Sequence, residues 1–222
     1  MELIEVSKLS AVLENKVISV EEKDQITITV SENNVLAVCE ILKNHDDLQM
    51  ACLLDLCCVD YLHYGVSEWE TDDATSLGYS RAQAVALAEN TTWKGPRFVI
   101  VCHLLSYIHK ARVRVRVHLD DKLGMPSLTG IWGSANWYER EAYDLFGVIF
   151  YNHPDFRRIL TDYGFVGYPF RKDFPLCGKV EMRYDGKLEK CIYEPVQIEN
   201  RIGVPKVIRQ DHRYLGGEDA TG

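Results

Sequence analysis

Apolar positions along this chain change their spacing several times, and each spacing predicts a different element. Over residues 7–15, Leu9, Val12 and Leu13 recur at helical intervals. Strands are expected over residues 17–20 and 25–30. In the second, Ile26, Ile28 and Val30 alternate with polar neighbours, as a half-buried strand requires. Ser31 is placed to cap a following helix, whose Val35, Leu36, Val38, Cys39 and Leu42 make one apolar stripe. Residues 51–61 and 97–107 carry apolar runs too continuous for an exposed edge. They are expected as strands in the middle of a sheet, or as a helix-to-strand junction. Residues 68–95 between them are polar and acidic at first and then alanine-rich from Arg81 to Glu89, which predicts an insertion holding a short helix.

Residues 111–119 alternate strictly, placing Arg112, Arg114 and Arg116 on one face and Val113, Val115 and Val117 on the other. The arginine face is either a solvated sheet face or a basic docking face for an acidic partner. Gly124, Pro126 and Ser127 predict a loop over residues 120–130 with a helix after it. Asn136 and Glu139 stand at capping-box spacing, and Gly147 is placed to end that helix. From residue 151 the periodicity disappears. Five of the seven prolines and eight of the fifteen glycines fall here, together with Phe156, Tyr163, Phe165, Tyr168, Phe170, Phe174 and Tyr184. So many rings argue against a solvated linker, and an extended strap laid on another protein would account for both properties. The reading is therefore an α/β (α+β) domain over residues 1–150, a mixed sheet with helices packed on it, followed by an extended C-terminal segment, 151–222, that wraps a partner.

Composition narrows the function. With 222 residues, 46% of them hydrophobic, the chain can bury a substantial core. The best apolar run, 98–105, is too short to span a bilayer and is interrupted by His103. The start, MELIEVSKL, has glutamates where a secretory signal has positive charge, so residence on the cytoplasmic side, or in an organelle that encodes the gene, is expected. Net charge is −8, and residues 1–50 hold 4 basic against 10 acidic groups. That balance argues against nucleic acid as a partner. Seven cysteines at irregular spacings fit reduced thiols. No C-x-x-C pair offers an iron–sulfur ligand set, and Cys52, Cys57 and Cys58 in LLDLCCVD read as core filler.

The densest charged stretch is WYEREAYDLFG, residues 137–147, with Glu139, Arg140, Glu141 and Asp144 among aromatic residues. Two neighbouring carboxylates are what a glycosidase needs. On one helix, however, Glu139 and Glu141 point apart, and Arg140 and Asp144 at i,i+4 can pair. The segment HPDFRRILTDYGFVGYPFRKDFPL, residues 153–176, sets His153, Arg157, Arg158, Arg171, Lys172 and Asp173 among rings, the composition of an interface hot spot. Fingerprints for dinucleotide binding, Walker A phosphate binding, a serine elbow or paired histidine ligands are absent from the sequence.

HLLSYIHKARVRVRV, PSLTGIW, these two stretches and then VEMRYD, in the same order and spacing as in the family, closely resemble the 30 kDa (C-type) subunit family of respiratory complex I, across about residues 98–185. The resemblance implies an α/β domain and a C-terminal strap packed on the D-type subunit of that complex, which with the B-type subunit forms the quinone site. It implies no cofactor in this chain, with FMN, iron–sulfur clusters and quinone held by partner subunits. It also implies that Glu139, Arg140, Glu141, Asp144, His153, Arg157, Arg158, Arg171, Lys172 and Asp173 belong to an interface and not to a catalytic site. Asn152 stands where the family usually has glycine, and Gly167-Tyr168-Pro169 where it usually has glycine-histidine-proline.

Overall fold

The computed structural model describes residues 6–13, 16–64, 69–70, 82–83, 93–120 and 123–197. Its elements in chain order are α1 (Val6–Leu13), β1 (Val17–Glu22), β2 (Ile26–Val30), α2 (Val35–Asn44), β3 (Cys52–Asp60), β4 (Trp69–Glu70), β5 (Ala82–Gln83), β6 (Phe98–Ser106), β7 (Ala111–His118), β8 (Gly124–Pro126), α3 (Ala135–Phe146), β9 (Ile149–Tyr151), β10 (Val180–Asp185) and β11 (Lys190–Pro195). The chain forms two compact units, one of Met1–Leu62 with Lys94–Pro175 and the other of His63–Trp93 with Leu176–Gly222.

The first unit is built on a mixed five-stranded sheet in the order β1-β2-β7-β6-β3. β2 and β7 run parallel and the remaining neighbours antiparallel. β2, α2 and β3 thus make a crossover whose two strands are held apart by the β6–β7 hairpin. The apolar stripe predicted for the helix after β2 is the face it buries, with Val35, Val38, Cys39 and Leu42 fully covered. They join Ile28, Val30, Ile100, Cys102, Leu104, Val113, Val115 and Val117 in one core that also takes Ala135 and Ala142 from α3. β8 and β9 pair in parallel on either side of α3, as a second, smaller crossover.

Several expectations are corrected. Of the two strands placed mid-sheet, β6 is interior but β3 is an edge. Its apolar sequence is tolerated there because side chains of the α3 segment cover the exposed carbonyls. Ser134 Oγ donates to Leu53 O (3.3 Å) and Tyr138 Oη to Leu54 O (2.7 Å), and Trp132 Nε1 donates to Met50 O just before the strand (3.1 Å). The N-cap of α2 is Asn34, not Ser31, whose carbonyl closes the preceding turn by accepting from Asn34 N. α3 starts after Ser134, so Asn136 is already inside it and no capping box forms. The loop over 120–130 contains the short strand β8. Gly147 does end α3, at φ +79°, where an added Cβ would lie 2.7 Å from both Tyr168 Cζ and Arg171 Nη2. Asn152 adopts φ +63°, a left-handed conformation that glycine takes without cost and asparagine tolerates, which accounts for the exchange at this position.

In the second unit, β4 pairs antiparallel with β5, and β10 with β11. Ala82 and Gln83 are therefore strand and not the start of a helix, while the rest of the expected 81–89 helix lies outside the described residues. The β10–β11 hairpin gives regular structure to a stretch in which little was expected. The tail beyond residue 197 also lies outside the described residues.

Candidate functional site

Three buried carboxylates organise the charged residues of the first unit, and each fastens a loop. Glu139 is completely buried on α3 and turns inward. Its Oε2 accepts from Ser127 Oγ and its Oε1 from Leu128 N, both at 2.6 Å, which fixes the turn leading into the helix. Burial pushes its carboxyl up to about 7, and the two donors offset that only in part. The His153 side chain, also fully buried, places Nε2 at 3.9 Å from Glu139 Oε2. His153 Nδ1 accepts from Asp155 N (3.1 Å), so the ring proton belongs on Nε2, which lies 3.2 Å from Asn136 O as its donor.

Asp144 is equally buried, one turn later on α3. Three successive backbone N–H groups donate to its Oδ2, from Ile159 (3.0 Å), Leu160 (2.6 Å) and Thr161 (2.9 Å). Thr161 Oγ1 (2.5 Å) and Arg158 Nη1 (3.3 Å) donate to Oδ1. Such a run of amides is an anion-binding nest, here filled by the chain's own side chain. Burial pushes the Asp144 carboxyl up, but the donors outweigh it and hold the group below its ordinary range. Asp144 therefore does not pair with Arg140, as helical spacing suggested. Arg140 instead donates from Nε to Arg157 O (3.0 Å) and lies 3.8 Å from Asp155. The tertiary return of residues 155–161 outcompetes a local i,i+4 pair because it satisfies several backbone donors at once.

The third carboxylate is Asp60, at the end of β3. Arg97, next to Phe98 on the partner strand, grips it with Nε at 2.9 Å and Nη2 at 2.8 Å, and Lys172 N (2.9 Å) and Leu62 N (3.0 Å) also donate to it. Burial raises Asp60 and these donors more than reverse the effect. Arg97 also reaches Asp173, at 3.0 Å, so one guanidinium ties the sheet to residues 172–173. Between these anchors the Tyr168 ring lies under two guanidinium groups, Arg158 at 5.1 Å and Arg171 at 4.5 Å, while Arg171 Nε donates to Phe146 O (2.7 Å).

The ten residues singled out in the sequence thus divide by exposure. Glu139, Arg140 and Asp144 are buried, as is the His153 side chain, and Arg158 and Arg171 are half-buried. Glu141, Arg157, Lys172 and Asp173 face outward. Glu139 and Glu141 point to opposite sides of α3, so no paired-carboxylate cleft forms between them. Asp60, Arg97, Ser127 and Thr161 complete the arrangement, and sequence reasoning missed them. Opposite charges at the paired ends of two apolar runs were the available signal for Asp60 and Arg97. Cys52, Cys57 and Cys58 do not converge. By strand register Cys58 faces the core and the other two face the opposite side. Burial raises the thiols of Cys39, to about 12, and of Cys57, to about 11. Among the described residues no group of His, Cys, Asp and Glu could hold a metal ion, and no helix is long and apolar enough to cross a membrane.

Known proteins resemble this chain over the same stretches. The family model described as respiratory-chain NADH dehydrogenase, 30 Kd subunit, matches residues 28–180. The C subunit of NADH-quinone oxidoreductase from Coxiella burnetii (strain Dugway 5J108-111) is 49% identical over 201 residues, covering 90% of this chain and 88% of its own. The protein of the same name from Legionella pneumophila (strain Paris) is 50% identical over 215 residues, covering 96% and 95%. One from Xanthomonas campestris pv. campestris (strain B100) is 47% identical over 223 residues, covering 91% and 87%. Among solved structures, a trypsin-resistant fragment of Nqo5 is similar at 23% identity and a TM-score of 0.43, covering 66% of this chain and 95% of the fragment.

Proposed function

The chain belongs to the 30 Kd subunit family of respiratory-chain NADH dehydrogenase, and from that premise we propose that it is a non-catalytic structural subunit of the peripheral arm of NADH:quinone oxidoreductase. In this reading it works only within a hetero-oligomer, on the cytoplasmic side of a bacterial inner membrane. It packs chiefly on the D-type subunit, which with the B-type subunit forms the quinone site. FMN, the iron–sulfur clusters and quinone stay in the partner subunits, and this chain supports electron transfer from NADH to quinone, coupled to proton translocation, by holding them in place. C-terminal residues 151–222 wrap the partner.

The observation that carries the reading is how the charged cluster is used. Glu139, Asp144 and Asp60 each spend their lone pairs on loop backbone and neighbouring side chains, which suits rigid support better than proton transfer to a bound substrate. Around them, Leu160, Tyr163, Val166 and Phe170 remain at least 59% exposed on a segment whose backbone is pinned. Rings and aliphatic side chains presented on a rigid frame are what a protein interface uses, because little entropy is lost on docking.

The test is to solubilise membranes gently, pull on a tag at Met1, identify the proteins retained and assay NADH:quinone reductase activity. Activity together with D-type and B-type subunits is expected. A lone, soluble and inactive chain would refute the proposal. Glu139→Gln should leave activity per assembled complex unchanged, whereas loss of turnover in fully assembled complex would assign chemistry to this chain.

A further inference from the structure

The arginine face of β7 takes no part in the arrangement above. β7 is the central strand of the five-stranded sheet, and its valines point into the core shared with the helices. On the other face, register places Thr27 and Thr29 of β2 beside Arg114 and Arg116, with Leu105, His103 and Val101 of β6 opposite Arg112, Arg114 and Arg116. Val101 (8% exposed) and its neighbour Val99 (0%) are buried yet lie outside the helix-covered core cluster, so the helices pack on one side of this sheet and the arginines mark the other.

Among the described residues no carboxylate pairs with these arginines. Arg112 is exposed and Arg116 half-buried, and among the described residues neither guanidinium has a hydrogen bond or ion pair. Arg114 is held by a neutral group. The Gln25 amide oxygen, in the orientation its neighbours require, accepts from Arg114 Nε (2.7 Å) and Nη2 (2.5 Å). Of the carboxylates on the outer strands of this face, Glu21 pairs with Lys23 at 3.3 Å, while the Asp55 charge lies beside the Cys57 thiol and acts on His103. The field is felt by two imidazoles on the same face. Burial, then Arg114 and Arg112, hold His103 below its ordinary value against a partial offset from Asp55, and burial, then Arg116, does the same to His118.

We propose that this face of β7 is a docking surface for a carboxylate-rich segment of another protein in the same assembly, with Arg112, Arg114 and Arg116 as its contacts. The inference rests on the reading of the chain as one subunit of a larger assembly. Residues two apart on a strand are separated by about 6.8 Å, the spacing of carboxylates at alternate positions of an extended acidic segment. Guanidinium groups suit such carboxylates because each fork donates two parallel hydrogen bonds. Protein is favoured over a nucleic acid or an anionic membrane because three arginines in a chain of net charge −8 do not make a phosphate-neutralising surface.

Two measurements test it. The purified full chain is titrated with a synthetic peptide of alternating glutamate and threonine while the His103 and His118 resonances are followed. Both imidazole pKa values rise on binding, and the double variant R112E/R116E binds at least tenfold more weakly. Binding of phosphatidylglycerol vesicles or an RNA oligomer in place of the peptide would overturn the assignment. In gently solubilised membranes, arginine modification by a phenylglyoxal reagent should be at least tenfold slower at Arg112 and Arg116 than in the free chain. Equal modification within an intact complex overturns the docking surface while leaving the subunit reading standing. If instead the chain purifies with no other protein of the complex, the subunit reading fails and the peptide titration alone decides the surface.

Discussion

Glu139 gives the sharpest test of the architecture, because its carboxyl is completely buried yet receives only two hydrogen bonds from the chain. Folding raises it from an ordinary value of 4.5 to about 7. A group whose folded value is raised contributes stability that is fully present below the unfolded value and is lost as pH rises through the folded one. Across pH 4.5 to 8 the loss is on the order of 3 kcal/mol, from about 1.4 kcal/mol per pH unit of difference. Glu139→Gln removes this titration with little change of shape. Its amide oxygen can accept from Leu128 N, and its NH₂ can donate to a rotated Ser127 hydroxyl. Urea unfolding of the purified chain and of the variant, at intervals from pH 4.5 to 8.5, should show the variant gaining relative stability as pH rises, by about 3 kcal/mol over the range. Curves that stay parallel would refute the claim that Glu139 folds in as a desolvated acid.

Other substitutions probe the remaining anchors. Arg97→Ala leaves the buried Asp60 charge without its main partner and should cost about 3 kcal/mol by denaturant unfolding, with Asp60→Asn partly rescuing it. Asp144→Asn replaces an acceptor of five donors with a group that accepts on one atom only. It should cost about 2 kcal/mol and speed hydrogen exchange at the amides of Ile159, Leu160 and Thr161. Gly147→Ala forces a Cβ to 2.7 Å from Tyr168 and Arg171 at a positive φ and should lower stability by about 1–3 kcal/mol, whereas Ala142→Gly on the same helix acts through propensity and lost packing alone. Asn152→Gly, at φ +63°, should be neutral or stabilising by a few tenths of a kcal/mol, with Asn152→Ala destabilising in the same thermal assay.

The sequence by itself determined whatever depends on neighbours along the chain. The alternation of Arg112 to Val117 fixes which side chains of β7 enter the core. The stripe on α2 fixes its buried face, and Gly147 fixes where α3 stops, because periods of 2 and 3.6 residues and the left-handed conformation are local properties of the backbone. Tertiary structure alone decided the partners of the charges. Arg140 and Asp144 have the spacing of a helical pair, but residues 155–161 return to bring Asp144 three amides, a hydroxyl and a guanidinium, a gain no i,i+4 contact matches. It likewise set β3 at the sheet edge, since the groups that cover its carbonyls, Ser134 and Tyr138, lie about eighty residues further along the chain. Spacing says which face a residue shares, whereas the burial that makes Glu139 an acid of about 7 and Asp144 a bound anion depends on loops that approach from far along the chain.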